Sequence, residues 1–316
     1  MTVTTAQMRI RLGSAHPTDQ PSTLMNPMVP TRYLVGSAHP TQVGTTQPSE
    51  CRLIVDPPAV GAWNMAVDEA LLIDAAENGV ATLRFYAWSE PTLSLGYFQR
   101  YNDREQHAAS RNSAVVRRQT GGGAILHDRE VTYSLALPST HSLSRDARRL
   151  YAAMHDAFIA TLTALVPVNH WTLIRRGPDS GASPNGQAFL CFERHACGDV
   201  LLVRRRDENR PVMQTPGNES NAVKILGSAQ RRYRGAVLQH GSLLLQKSPA
   251  APELAGIADL TGAPITAAEL IDALTDRLEN VLDARGFSCR LPEGLESNAG
   301  HLANTKYGSA AWTKRR

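Results

Sequence analysis

Arg117–Asp128, RRQTGGGAILHD, gathers more chemistry than any other stretch of the chain. Two adjacent arginines run into three consecutive glycines, then through an apolar stretch to His127 and Asp128. Lacking a Cβ, Gly121, Gly122 and Gly123 let the backbone bend sharply and approach a ligand. Exposed N–H groups in such a loop form an anion-binding nest. Arg117 and Arg118 add planar cationic forks for carboxylate or phosphate. Together they suit a substrate with an anionic head and an apolar tail. Taken alone, the glycines are equally compatible with a flexible turn, and the arginines with a solvated face. Neither G-x-x-x-x-G-K-[ST] nor G-x-G-x-x-G is present, so this is not a standard nucleotide loop.

Lys224 and Cys191 are the other candidates. Lys224 lies between Val223 and Ile225 in a strand-like run, where alternation is compatible with a solvent-facing side chain. The Gly227-Ser228-Ala229 segment that follows lets a ligand approach closely, and a fixed ammonium beside it could polarise a carbonyl or hold a phosphate. Cys191, between Leu190 and Phe192, reads either as a small buried hydrophobe or as a nucleophile. The second role needs a nearby cation, for which Lys224, Arg118 and His240 are available. His240, in LQHGSLLL, is compatible with a site wall or a strand end.

These residues must be held by regular elements. Ala114–Val116 and Val131–Leu137 flank the glycines and read as strands. Further strands are expected over 51–58, 81–88, 92–98, 188–193, 199–203, 222–232 and 236–245, the last two joined by a tight turn. Helices are expected over Gly61–Gly79, over 144–165 with Ser144 as N-cap, and from Thr266 to Gly286. Strands in hairpins with helices between the groups predict an α+β fold: a mixed, mostly antiparallel sheet with packed helices, spanning 51–286. Residues 204–222, rich in charge, Pro, Gly and Asn, read as an exposed insertion. Residues 287–316 read as a short basic tail.

The first 50 of the 316 residues are rich in Thr, Ser, Pro and Gln, contain GSAHPT twice, and read as a disordered extension. A formal charge of +4 is mild: it is compatible with acidic protein partners but too weak to indicate nucleic acid. No apolar run predicts a membrane span. The four scattered cysteines predict neither a disulfide scaffold nor structural zinc, and fit a cytoplasmic setting.

The ordered set NMAVDEALL, PTLSLGYFQ, RRQTGGGAILHD, CFERHACGDVLL, VKILGSAQRR, LQHGSLLL and the terminal KY…W…RR resembles the lipoate–protein ligase A family, of the biotin/lipoate A/B protein ligase fold, over residues 51–316. The resemblance implies attachment of lipoyl or octanoyl groups to a lysine of small acidic carrier domains. It implies that Arg117, Arg118 and Gly121–Gly123 line the acyl pocket with His127 at its rim. Lys224 would contact the acyl carbonyl, and Asp199 would match an acidic position before the lysine strand. In the LipM-like branch the nucleophile is a cysteine followed by Phe, which is Cys191. Gly198 departs from that pattern, where an aromatic residue is common before the acid. The implied reaction takes octanoyl from acyl carrier protein, through a Cys191 thioester, to a lipoyl domain or the glycine-cleavage H protein, with no cofactor. The alternatives are a ligase using ATP and Mg through an acyl-adenylate, and a non-catalytic acyl- or carrier-binding paralogue.

Overall fold

The computed structural model describes residues 49–167, 170–178, 188–205 and 222–316. The extension expected at 1–50, apart from the two residues that open the first strand, lies outside the described residues, as does most of the 204–222 insertion.

The strands are β1 (Ser49–Val55), β2 (Ala81–Tyr86), β3 (Thr92–Leu95), β4 (Ala114–Arg117), β5 (Ile125–His127), β6 (Glu130–Leu137), β7 (Trp171–Arg175), β8 (Val200–Arg204), β9 (Ala222–Tyr233), β10 (Ala236–Leu244) and β11 (Ala284–Ser288). The helices are α1 (Gly61–Glu77), α2 (Ala147–Leu165), α3 (Ile257–Thr261), α4 (Ala267–Leu282), α5 (Glu293–Leu302) and α6 (Ala310–Thr313). Eight strands form one sheet in the order β11-β1-β2-β6-β10-β9-β8-β7, and β4-β3-β5 form a small second sheet. In the large sheet only β1 pairs in parallel, with β11 and β2; the other pairings are antiparallel. The mixed, mostly antiparallel α+β architecture is the one expected.

The large sheet is covered on both faces. On one face, α2 and α4 close a core that includes Phe85, Tyr133 and Phe158. In α4, Leu270, Leu274, Leu278 and Leu282 recur every fourth residue and are all buried. That spacing forms one apolar stripe, and each leucine removed from water contributes about 2 kcal/mol. Thr266 and Glu269 close a reciprocal capping box at its start. On the other face, α1 supplies Met65, Ala66, Ala70 and Leu71 to a second core shared with Tyr86 and Tyr307.

Four local expectations are corrected. Residues 188–193 do not form a strand: Ala124 pairs with Leu190 in an isolated bridge, and Cys191–Glu193 form a 3-10 turn. A short apolar run suggested a strand, but among the described residues its backbone pairs with the glycine-loop segment alone. Asp146, not Ser144, caps α2, accepting from the N–H groups of Arg148 and Arg149. Helix α4 ends at Leu282, because Asp283 adopts a left-handed φ of 47° and the chain turns into β11. The stretch after Gly286 is more than a tail. It carries α5 and α6; Trp312 Nε1 donates to Arg117 O at 2.8 Å, and Arg117 Nε donates to Thr313 O at 3.0 Å.

Candidate active site

The glycine loop and the Cys191 turn meet edge to edge. Cys191 N–H donates to Ala124 O at 2.7 Å, and Ala124 N–H donates to Phe189 O at 3.1 Å. A Cβ on Gly123 would stand 3.2 Å from Cys191 N and Cα, so the third glycine permits this approach. Gly122 adopts a φ of +95°, a conformation strained for side-chain-bearing residues.

Lys224 reaches the same point from β9. The pairing of β8 with β9 shifts between Val200 and Leu201, so β9 carries an extra residue next to Lys224. Such a bulge re-aims the adjoining side chain. Lys224 is therefore buried, not solvent-facing. A Cβ on Gly227 would lie 2.6 Å from Lys224 Cε, so that glycine leaves the lysine its space. The ammonium has three donors and three acceptors: Asp199 Oδ2 at 2.8 Å, Cys191 O at 3.3 Å and Cys191 Sγ at 3.6 Å. Burial alone would lower the lysine pKa, but the charges of Cys191 and Asp199 outweigh it and raise it above the ordinary value. Lys224 is thus a fixed cation at neutral pH, facing a half-buried sulfur.

Asp199 is held in turn. Its Oδ2 accepts from Ala196 N–H at 2.6 Å, and its Oδ1 accepts from Tyr151 OH at 3.0 Å. A Cβ on Gly198 would meet the Tyr151 ring at 2.7 Å. The aromatic ring beside the acid is therefore supplied by α2, which accounts for glycine at position 198. His155 lies one turn further along α2. Its Nδ1–H donates to Gly198 O at 2.7 Å, so its Nε2 accepts from Ser228 Oγ at 2.7 Å. Burial pushes His155 down from 6.5 to about 4, which keeps this neutral arrangement.

A narrow cavity opens between the two sheets. Its lining includes Cys191 and Phe192, Gly227–Ala229 on β9, His240–Ser242 on β10, Thr132 on β6 and Tyr86 on β2, with Met65 from α1. These strands are consecutive in the sheet, so the cavity runs across the strands, over three spacings or about 14 Å. Many of its residues are polar, yet their polar atoms are committed to one another. His240 Nδ1–H donates to Asp68 Oδ2 at 2.9 Å, and Nε2 meets Thr120 Oγ1 at 2.7 Å. His127 Nδ1–H donates to Glu130 Oε1 at 2.6 Å, and Nε2 meets Ser94 Oγ at 2.7 Å. Tyr86 OH donates to Asp68 Oδ2 at 3.0 Å, and Ser242 Oγ donates to Glu130 Oε1 at 2.8 Å. With these hydrogen bonds already made, the wall offers carbon to an occupant.

Burial would raise the Asp68 carboxyl, but the His240 contact and the Arg84 guanidinium hold it below the ordinary value. Arg118 donates to the carbonyls of Ser94, Gly121 and Gly123, and burial lowers its guanidinium to about 10, so it stays cationic while bracing the loop.

The lipoyl protein ligase A/B catalytic-domain model matches residues 61–255. The chain belongs to this family. It is 31% identical over 281 residues to an octanoyltransferase LipM from Kyrpidia tusciae, covering 81% of this chain and 95% of that protein. The fold is also that of a lipoate-protein ligase A bound with ATP (22% identity, TM-score 0.61, 84% of this chain and 98% of that one). It matches equally the bipartite lipoate protein ligase of Thermoplasma acidophilum, described with its E2 lipoyl domain (21% identity, TM-score 0.61, 84% and 96% covered).

Of the candidate positions named from the sequence and from the family resemblance, Cys191, Arg118, Gly121, Gly122, His127, Gly227, Ser228, Ala229 and His240 line the cavity. His127 stands in its buried wall, stacked on Trp88 at 3.9 Å, not at its rim. Lys224 and Asp199 stand just behind Cys191, and Gly123 lies against its backbone. Arg117 is not brought to the cavity. It is fully buried and donates to carbonyls of Gly96, Gln99 and Thr313, so it braces the loop against the C-terminal segment. Sequence reasoning missed Asp68, Glu130, Tyr151 and His155. Asp68 carried a signal, an acid one helical turn from Asn64 on the apolar face of α1; the other three reach the site only through the fold.

Proposed function

We propose that this chain is an acyltransferase of octanoyl transfer in protein lipoylation, with Cys191 as nucleophile and Lys224 as the charge that steadies the reacting centre. The observation that carries the reading is Cys191 Sγ, 3.6 Å from Lys224 Nζ, at one end of a carbon-lined channel. Likeness over nearly the whole length of an octanoyltransferase LipM supports the reaction class.

The transfer proceeds in two exchanges. Cys191 Sγ attacks the carbonyl carbon of an octanoyl thioester on acyl carrier protein. The new C–S bond forms as the carrier's C–S bond breaks, and the carrier thiol leaves with the proton that Cys191 gives up. A neutral lysine amine of a lipoyl domain, or of the glycine-cleavage H protein, then attacks octanoyl-Cys191. The amide C–N bond forms, the C–S bond to Cys191 breaks, and the amine's proton goes to the departing sulfur. Covalent catalysis of this kind divides one difficult transfer into two easier ones. Lys224 sits where the sulfur must carry charge as nucleophile and leaving group, and a preorganised cation in a dry site is worth far more than in water. Exchange of one thioester for another is nearly isoenergetic, and amide formation draws the sequence forward, so no nucleotide is required. The acyl tail lies across β9, β10, β6 and β2. The donor and acceptor identities extend the reading, guided by the lipoyl domain that accompanies the archaeal ligase.

The test is a single incubation with octanoyl carrier protein and an unmodified lipoyl domain, with and without ATP and Mg. Octanoylation of the domain is expected at equal rates in both. Modification only with nucleotide and free octanoate would assign a ligase instead, and binding without turnover a non-catalytic paralogue.

A further inference from the structure

We propose that an exposed aromatic and cationic rim beside the channel is the docking surface for an acidic, lysine-bearing acceptor domain; the assignment rests on the acyl-transfer reading above. The rim begins just after β3. Phe98 is 67% exposed, among the most exposed large apolar residues described. It flanks the channel: a Cβ on the wall residue Gly121 would stand 3.8 Å from the Phe98 ring. Tyr97 is fixed beside it, donating its N–H to Thr120 O at 2.8 Å.

Three guanidiniums lie over these rings. Arg316 Cζ is 5.3 Å from the Phe98 centroid. Arg315 Cζ is 4.3 Å from that of Tyr97 and 4.7 Å from that of Trp312. Arg231 Cζ is 5.9 Å from Tyr97, and it follows the wall residue Ala229 by two positions on β9, hence on the same side of the strand. Tyr101 N–H donates to Arg316 O at 2.8 Å, which ties the backbone of that arginine in place. Among the described residues no carboxylate forms an ion pair with any of the three, whereas the neighbouring Lys306 is neutralised by Glu69 at 2.6 Å. Burial and then the charges of Arg315 and Arg316 lower the Arg117 guanidinium, as expected beneath a positive surface.

A guanidinium stacked on a ring keeps its N–H edges free for carboxylates. Exposed aromatic anchors ringed by such cations are the residue types that dominate binding energy at protein interfaces. The partner this surface fits is therefore acidic. Its position selects the acceptor over the donor. The Phe98 ring stands beside the wall residue Gly121, so a domain seated here lies at the channel's margin. A lysine on its four-carbon stem can enter the channel from there. A donor carrying its acyl group on a long arm has no need of this seat.

The test measures binding of a fluorescently labelled, unmodified lipoyl domain to the full chain. One variant combines Arg231→Glu, Arg315→Glu and Arg316→Glu; a second is Phe98→Ala, at a position too exposed to threaten folding. At about 50 mM salt the triple variant should weaken Kd at least about tenfold and lose most of the salt dependence shown by the wild type. Phe98→Ala should weaken it about fivefold or more. Both should still acquire octanoyl on Cys191 from octanoyl-coenzyme A within about twofold of the wild-type rate, because that small donor does not use the rim. A triple variant that binds the lipoyl domain as the wild type does would overturn the proposal, as would weakened binding confined to acyl carrier protein. A wild type that is never acylated, yet shows the same losses of affinity, would leave the docking surface standing and remove the transferase reading.

Discussion

Lys224 and Asp199 form a buried ion pair at 2.8 Å, and the sulfur of Cys191 completes the set. A buried pair of this kind contributes little net stability, but removing one partner strands the other charge. Lys224→Ala should therefore do two things. It should slow octanoyl-enzyme formation by at least about a hundredfold, in line with the loss of one preorganised charge stabiliser. It should also cost about 3 kcal/mol or more of stability by leaving Asp199 unpaired. The double variant Lys224→Met, Asp199→Leu separates the effects. Urea unfolding should return close to the wild-type midpoint while acylation stays lost. Recovery of acylation in the double variant would show that Lys224 is structural only.

At the scale of elements, α1 and α2 meet the site from opposite faces of the sheet. Met65 is buried on α1 and lines the channel. Met65→Ala should lengthen the channel. Competition between octanoyl and dodecanoyl thioesters should then shift at least about tenfold toward the longer chain, since one methylene in an apolar pocket changes discrimination by about 1–3 kcal/mol; an unchanged ratio would place the stop elsewhere. On α2, His155 links Gly198 to Ser228. Its folded pKa, about 4, lies below the ordinary 6.5. The unfolded chain therefore binds the extra proton first as pH falls. Stability is retained above about pH 6.5 and declines between there and about 4, by about 3 kcal/mol in all. In His155→Gln that segment of the stability–pH curve should flatten; an unchanged slope would show that other groups cause it. The long elements were legible in the sequence, because α2 and α4 state their period in their own residues, while α1 and the β9–β10 hairpin are apolar runs bounded by Gly79 and by a tight turn. The Cys191 turn and β11 were not. Cys191 N–H bonds to Ala124 O, 67 positions away, and β11 exists by pairing with β1 across the whole domain. Such partners leave no local pattern.

In the molecule as a whole, the channel lies between a large sheet and a small one, and each carries half of the chemistry. The small sheet brings Arg118, the glycines and His127; the large one brings Lys224, Ser228 and His240. The candidate site was therefore legible as residue types but not as an assembly. Arg117 and Arg118 are adjacent in sequence and look equivalent, yet one braces the C-terminal segment and the other the glycine loop. Among the described residues no helix is long and apolar enough to cross a membrane, and no cluster of three or more His, Cys, Asp or Glu is placed to hold a metal ion. The decisive measurement is intact mass of the full chain after brief exposure to octanoyl carrier protein without nucleotide, followed by peptide mapping. One octanoyl group is expected, on Cys191, absent from Cys191→Ala and discharged when a lipoyl domain is added. No adduct on the wild type, or a Cys191→Ala enzyme that still modifies the domain at the wild-type rate, would contradict a thioester at that sulfur.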